Sequence, residues 1–359
     1  MQAAIHSAAP RIHSVTRTRL ASRLLVIVLA AVLLAGALVV ALGRGSQDIP
    51  ADQVIKALRD SESVKRSTYI IVHEVRLPRA LTGALVGLNL AVAGTLLQGA
   101  VRSPLADPYI IGVSAGGGLV AAYISLQGSE NVPANAVPLA AMVGSLIGAL
   151  VVYAVAWDGT GVTSTRLALA GVAVTAMFGA FTTTIVVMSV QGGGQIIFQW
   201  LVGGLYTAGW REYYLIAPYS LLGFVLALAL ATRANVLALG DEVAQGLGLH
   251  VERTRFLMSA VAAILAGGAV AVAGLIGFVG LLVPYVARKL IGSDFRFLIP
   301  ASAIFGAALM IWADWSAQVV FPRLLIGPQT NIEFPVGIIT AVIGGPLFLW
   351  LIRARRSQW

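Results

Sequence analysis

Ten apolar stretches follow one another along this 359-residue chain, most of them close to twenty residues long and almost free of charge. They cover 24–42, 77–101, 109–126, 136–157, 167–189, 213–232, 255–276, 278–291, 297–319 and 334–352. A helix of about 20 apolar residues, rising roughly 1.5 Å per residue, matches the ~30 Å hydrocarbon core of a bilayer. The stretch from 255 to 291 is too long for one crossing. Gly274 and Gly277 supply a break, so two helices joined by a tight turn are expected there. Composition agrees: 58% of the residues are hydrophobic and 11% charged, against about 45–50% and about 25% in soluble domains. The 15 acidic and 24 basic residues cannot cover a water-soluble particle of this size. The expected fold is an all-α polytopic membrane protein. Cysteine is absent, which excludes disulfides, cysteine metal sites, Fe–S clusters and thiol catalysis. The net charge of +9 does not point to nucleic acid, because the bases lie scattered between apolar runs rather than in one patch.

Residues 1–23 form a basic tail carrying Arg11, Arg17, Arg19 and Arg23 ahead of the first apolar stretch. At 19 residues that stretch exceeds the usual apolar region of a signal peptide, about 7–15 residues, so an uncleaved anchor is expected. With the N-terminus inside, 15 of the 24 Lys and Arg fall on the inner side, and seven of the other nine lie between Arg44 and Arg79. The bias favours both termini in the cytoplasm, including the tail 354–359. The segment 43–75 is the only sizeable polar one and is expected to be external. Within it Val54, Ile55 and Leu58 share a helical face, as in a short helix lying on the membrane surface.

Shifting the chain by 180 residues lays Ala91-Val92-Ala93-Gly94 on Ala271-Val272-Ala273-Gly274, Leu85 on Leu265 and Gly87 on Gly267. Five spans per half is an odd number, so equivalent helices would run in opposite directions. That is the inverted-repeat plan of many transporters, which makes a channel or transporter the leading class.

Gly112-Val113-Ser114-Ala115-Gly116 matches the G-x-S-x-G pattern of serine nucleophiles. His6, His13, His73 and His250 all lie outside the spans, so no base is at hand, and small residues for close helix packing explain the motif better. No catalytic residue and no metal site are assigned. Gly192-Gly193-Gly194 lacks the ending of a phosphate-binding loop; if ATP drives transport, another subunit binds it. Asp314 is the one carboxylate well inside a span. It is either functional, as intramembrane acids are by default, or paired with an outer-face base such as Arg76 or Arg79. Gly171, Thr175, Gly179 and Thr183 make a small, weakly polar stripe at four-residue spacing, suited to tight helix contact or to lining a path. Residues 237–250 read LALGDEVAQGLGLH. Asp241 would cap a short helix, Gly246 and Gly248 would end it, and a new piece would start near Val251. This hairpin, within 233–254, is larger than connectivity requires and looks like a docking surface.

From about Arg76 to Arg353 the chain resembles the membrane permease subunits of bacterial ABC importers for iron–siderophore complexes, haem and vitamin B12. The matching stretches are Arg76-Leu77-Pro78-Arg79, Ser103-Pro104-Leu105-Ala106-Asp107-Pro108, Gly112-Val113-Ser114, the hairpin sequence, Gly277-Phe278-Val279-Gly280-Leu281 and Phe334-Pro335-Val336-Gly337. The resemblance implies the type II importer fold, ten helices in two inverted halves across 24–353. The implied partners are a second permease subunit (a copy or a paralogue), two cytoplasmic ABC ATPases that hold ATP and Mg, and an external binding protein. The setting is the bacterial inner membrane, and the chain itself binds no cofactor. By position, Leu239, Gly240, Asp241, Glu242, Ala244, Gly246 and Gly248 match the segment that fits an ATPase groove. Ser164 and Thr165 match an inner gate, and Arg76 and Arg79 match bases that meet binding-protein carboxylates. The family often carries Arg where Gln318 stands, with Arg323 the base at hand to replace it, and Pro-His where this chain has Pro284-Tyr285.

A mechanism follows from the resemblance. ATP closes the ATPases, the hairpin acts as a lever, and the fifth helices move relative to each other. Gln191 to Gly204, with Phe198 and Trp200, would cap the outer mouth. The expected cargo is a ferric siderophore, with haem and cobalamin next. A secondary transporter is the rival class; it would need Asp314 as its coupling carboxylate, and that residue sits near one end of its span.

Overall fold

The computed structural model describes residues 9–45, 47–60, 63–126, 136–159, 161–188, 200–327 and 332–355. The helices are α1 (Ala9–Gly43), α2 (Ala51–Arg59), α3 (Arg66–Val101), α4 (Val113–Leu126), α5 (Ala136–Ala156), α6 (Ser164–Met188), α7 (Trp210–Leu237), α8 (Asp241–Gly246), α9 (Val251–Ala273), α10 (Val279–Ile291), α11 (Phe295–Leu325) and α12 (Val336–Arg355). Every apolar stretch of the sequence has its helix. Among the described residues seven helices are long and apolar enough to cross a membrane, and α4 and α10 are shorter apolar pieces.

Several helices extend beyond their apolar runs: α1 begins at Ala9 rather than at 24, α3 begins at Arg66 rather than at 77, and α11 reaches Leu325 rather than ending at 319; α3 and α11 each contain a widened π-type segment, Ile70–Arg76 and Ser316–Val320. Both segments end two residues before a proline, Pro78 and Pro322. Proline donates no backbone N–H and its ring crowds the carbonyl four residues back. Widening the preceding turn lets the helix continue instead of kinking sharply.

Between α1 and α3, α2 packs Val54 and Ala57 against Leu42 and Val72. Ile55 and Leu58 are exposed, so the expected common face with Val54 is split. Only the Ile55–Leu58 edge remains for a membrane surface.

The inverted repeat is visible in the packing. α3 and α9 are the most buried spans, with Leu90, Leu96, Leu97, Met258 and Leu265 fully enclosed. α3 packs on α11, and its counterpart α9 packs on α5. The crossings sit at Gly87, against the carbonyl of Gly306, and at Gly267, against Ser145. The shift of 180 residues that equates Gly87 with Gly267 therefore equates two helix crossings.

α4 and α10 have 14 and 13 residues, roughly 20 Å each at the α-helical rise, too short for a full crossing. The irregular segments before them meet inside the bundle. The Tyr109 hydroxyl donates to the Ile276 carbonyl and accepts from the Ile276 N–H at 2.6 Å, and the Pro108 ring lies against Gly280. Gly94 of α3 is pressed on Gly280 so closely that a Cβ would stand 1.8 Å from the Gly280 oxygen. Irregular backbone is tolerated at membrane depth only where protein satisfies it, and Tyr109 does so here. The expected break between α9 and α10 spans 274–278, with Gly274 and Phe278 both at positive φ (66° and 69°).

Candidate functional site

At one end of the bundle α7 and α9 are joined by the hairpin 238–250. Gly240 has φ +110° and Gly248 φ +81°, conformations that L side chains rarely adopt. They turn the chain sharply into α8 and out of it. The cap position is Gly240, without a side-chain cap, which corrects the expectation that Asp241 caps α8. The Asp241 carboxylate instead accepts from Arg102 Nη2 at 3.0 Å and from Arg255 Nη2 at 3.2 Å, and two guanidiniums outcompete backbone amides for it. Ala244 is buried, whereas Leu239, Val243 and Leu247 are 61%, 51% and 64% exposed. Val243 and Leu247, four residues apart, lie on one side of the short helix, and Leu239 is exposed just ahead of the Gly240 turn. Glu242 and Gly246 are also exposed.

Beside the hairpin, Ser164 opens α6 and Thr165 follows, exposed, on the first turn. Asp158 pairs with Arg166 there. A cavity of about 390 Å³ separates that turn from the segment 103–111 and is lined by Thr165 and Asp107. Asp107 is buried, and burial pushes its carboxyl up to about 6 against the opposing pull of the Tyr109 N–H, which donates to it at 2.9 Å.

The stripe along α6 divides. Gly171 lies directly against the Ile110 carbonyl, so it serves packing within the chain. Thr175 is half-buried, Gly179 meets open space and Thr183 is exposed. The hydroxyls of Thr182, Thr183 and Thr184 donate to carbonyls four residues back at 2.8–3.0 Å. That arrangement satisfies them without any partner. Phe198 and the segment 191–199 lie outside the described residues. Trp200 is half-buried with its carbonyl against Gly274, and the N–H groups of Gly204 and Gly337 donate to Ala273 and Gly203 at 2.9 and 3.1 Å.

At the opposite end from the hairpin, Arg79 is held by two carboxylates. Its Nε and Nη2 donate to both oxygens of Asp314 at 2.9 Å, and its Nη1 donates to Glu333 at 2.9 Å. Gln318 donates to Asp314 at 2.7 Å. Asp314 is thus a paired carboxylate, and Gln318 takes part in the pairing. Arg76 donates to the carbonyls of Leu42 and Gln47, fastening the loop after α1. Arg323 is exposed and lines a shallow cavity with Arg44 and Asp48. Tyr285 lies beneath the Lys289 ammonium, 5.8 Å from the ring centre. Within G-x-S-x-G, Gly112 and Gly116 pack on Gly148 and Gly144.

Sequence reasoning did not single out Arg255, Glu252, Arg102, Glu333 or Tyr109. For Arg255 a signal existed, a charge opening an apolar run; each of the others has a partner 90 to 254 residues away that the sequence does not show.

The FecCD transport family matches residues 32–354. Among individual proteins, the chain is 40% identical to the Fe(3+)-citrate import system permease protein YfmD of Bacillus subtilis, over 96% of this chain and 99% of that one. It is 42% identical to the cobalamin import system permease protein BtuC of Halobacterium salinarum, over 82% and 76% of the respective chains. An inward-facing ABC transporter of metal-chelate type superimposes with a TM-score of 0.79 at 27% identity, covering 91% of this chain and 98% of that one.

Proposed function

The chain belongs to the FecCD transport family of ABC importer permeases, and on that premise we propose that it carries a ferric siderophore or related iron chelate into the cytoplasm, driven by separate ATPase subunits. The relative named for ferric citrate, matched along nearly its whole length, supports iron over the haem and cobalamin alternatives in the same family. Among the described residues no three His, Asp or Glu side chains gather as a metal site. A chelate held by an external binding protein needs none.

The exposed side chains of Leu239, Val243 and Leu247 on the hairpin carry the proposal. Three large apolar side chains on a polar hairpin mark a protein contact rather than a solvated turn. The excess of Lys and Arg on the hairpin side supports a cytoplasmic position with both termini on the same side. A groove on each ATPase would receive the hairpin and leave ATP and Mg on that partner, this chain holding no cofactor. A second permease, copy or paralogue, would face the exposed side of α6. Gly179 and Thr183 would then line the path between the two, with Ser164 and Thr165 as the inner gate. At the external end Arg323 would meet the binding protein first, because Arg76 and Arg79 are already engaged in the chain. Arg79 would exchange Glu333 for a carboxylate of that partner. The secondary-transporter alternative loses its coupling acid, because Asp314 is tied to Arg79 and Gln318.

Leu247→Asp should abolish co-purification of the ATPase subunits while the chain remains folded in the membrane. Undiminished co-purification in Leu247→Asp and Val243→Asp would refute the hairpin contact.

A further inference from the structure

The Arg255 guanidinium in the first turn of α9 has a side chain only 4% exposed, and all three of its nitrogens are occupied. Nε donates to the Ala100 carbonyl at the end of α3, at 3.1 Å. Nη1 donates to the Val162 carbonyl and to Glu252, both at 2.7 Å. Nη2 is shared between the two oxygens of Asp241 at 3.2 Å. The second oxygen of Glu252 accepts the Val162 N–H at 3.0 Å. Val162 is therefore gripped at both its backbone polar groups by the first turn of α9. Two residues later α6 begins, at Ser164. Arg102 supplies the second cation on Asp241, so two guanidiniums face two carboxylates in this network.

From this geometry we propose that Arg255 is the positioning residue that ties the hairpin to the base of α6. Displacement of α8 passes through Asp241 to the guanidinium and from it to Val162. The inference rests on the hairpin being the ATPase contact. A planar guanidinium with fixed donors transmits direction as well as position, and a buried charge that loses one partner is costly. Hairpin and α6 base consequently move as one body. Without the guanidinium Asp241 keeps Arg102 and Val162 keeps Glu252, and the side-chain bridge that joins Asp241 to Val162 is gone.

Because the chain has no cysteine, single labels can be introduced cleanly. Spin labels at Gln245 in the hairpin and at Leu169 on α6 would each be paired with a reference label at Tyr123 on α4; the three side chains are exposed. The sample is the full chain with its co-purifying ATPase, reconstituted, with and without a non-hydrolysable ATP analogue. In the wild type both distances should shift with nucleotide. In Arg255→Gln the hairpin shift should persist, the α6 shift should be lost and ATP hydrolysis should continue. The ratio of transport to hydrolysis should fall by about tenfold, the scale of a coupling change of this kind. Arg255→Lys keeps the charge beside Asp241 and loses the fork. It should also lose the α6 shift, and it serves if the glutamine variant does not accumulate. A full α6 shift in either variant overturns the inference. A wild-type hairpin that does not respond to nucleotide overturns the hairpin contact instead, and the inference with it.

Discussion

Asp314 shows how a single residue resolves. Sequence left it between a functional acid and an ion pair, because an intramembrane carboxylate fits either. The bidentate bond from Arg79, a residue 235 positions away, decides for the pair. Removing one partner of such a pair leaves a buried charge, at a cost of about 3–5 kcal/mol. Arg79→Gln and Asp314→Asn should each lower thermal stability in detergent by that scale, and the double variant should recover part of the loss. Additive losses would show that the two groups are not coupled. Asp107 carries the opposite sign. Burial raises its carboxyl from 3.8 to about 6, so the neutral form is favoured in the fold. The stability it lends is complete below about pH 4 and is lost as pH rises through about 6, roughly 3 kcal/mol in all. Asp107→Asn keeps an acceptor for Tyr109. It should match the wild type at low pH and be the more stable protein at pH 7, as read from thermal melts across that range. A constant difference at all pH values would contradict the burial argument.

At the scale of elements, the ten apolar runs were legible because a lipid-facing or buried helix needs an unbroken apolar length. What they could not reveal is where helices outlast their apolar runs or fall short of them. The extension of α3 back to Arg66 carries His73 and Glu74 and is polar enough to read as loop. Its fixed points are Tyr69 stacked on His73 and the Trp210 indole N–H donating to the His73 carbonyl at 3.0 Å. Conversely, the run 109–126 opens within the 3-10 turn Pro108–Ile111, so α4 is shorter than its hydrophobicity suggests. The hairpin's end was readable from Gly246 and Gly248, whereas its start was read at Asp241 and falls at the Gly240 turn. The guanidinium network behind the hairpin was not readable, since Arg255 finds Ala100 and Val162 at separations of 155 and 93 residues. Close approach of α3 and α10 at Gly94 leaves no room for a methyl group. Gly94→Ala should cost about 1–3 kcal/mol or more by overpacking, while Gly36→Ala, with no atom within 4 Å, should be near neutral. Equal melting temperatures for the two variants would contradict the packing at that crossing.

For the whole molecule, the inverted repeat puts two half-length helices, α4 and α10, start to start at the Tyr109–Ile276 contact. Around them the long spans α3 and α9 form the fixed centre. α6 is left largely uncovered by the rest of the chain. On the proposed reading the core stays static, α6 is the helix that moves at its margin and the hairpin is the handle at one end. The chain contains no nucleotide site that the sequence discloses. The decisive test is accumulation of a ferric chelate in proteoliposomes holding the chain and its binding protein, with or without the ATPase subunits and ATP. Uphill accumulation is expected only when the ATPase and ATP are both present. Accumulation by the chain without them, under a proton gradient, would contradict a permease that has no energy source of its own.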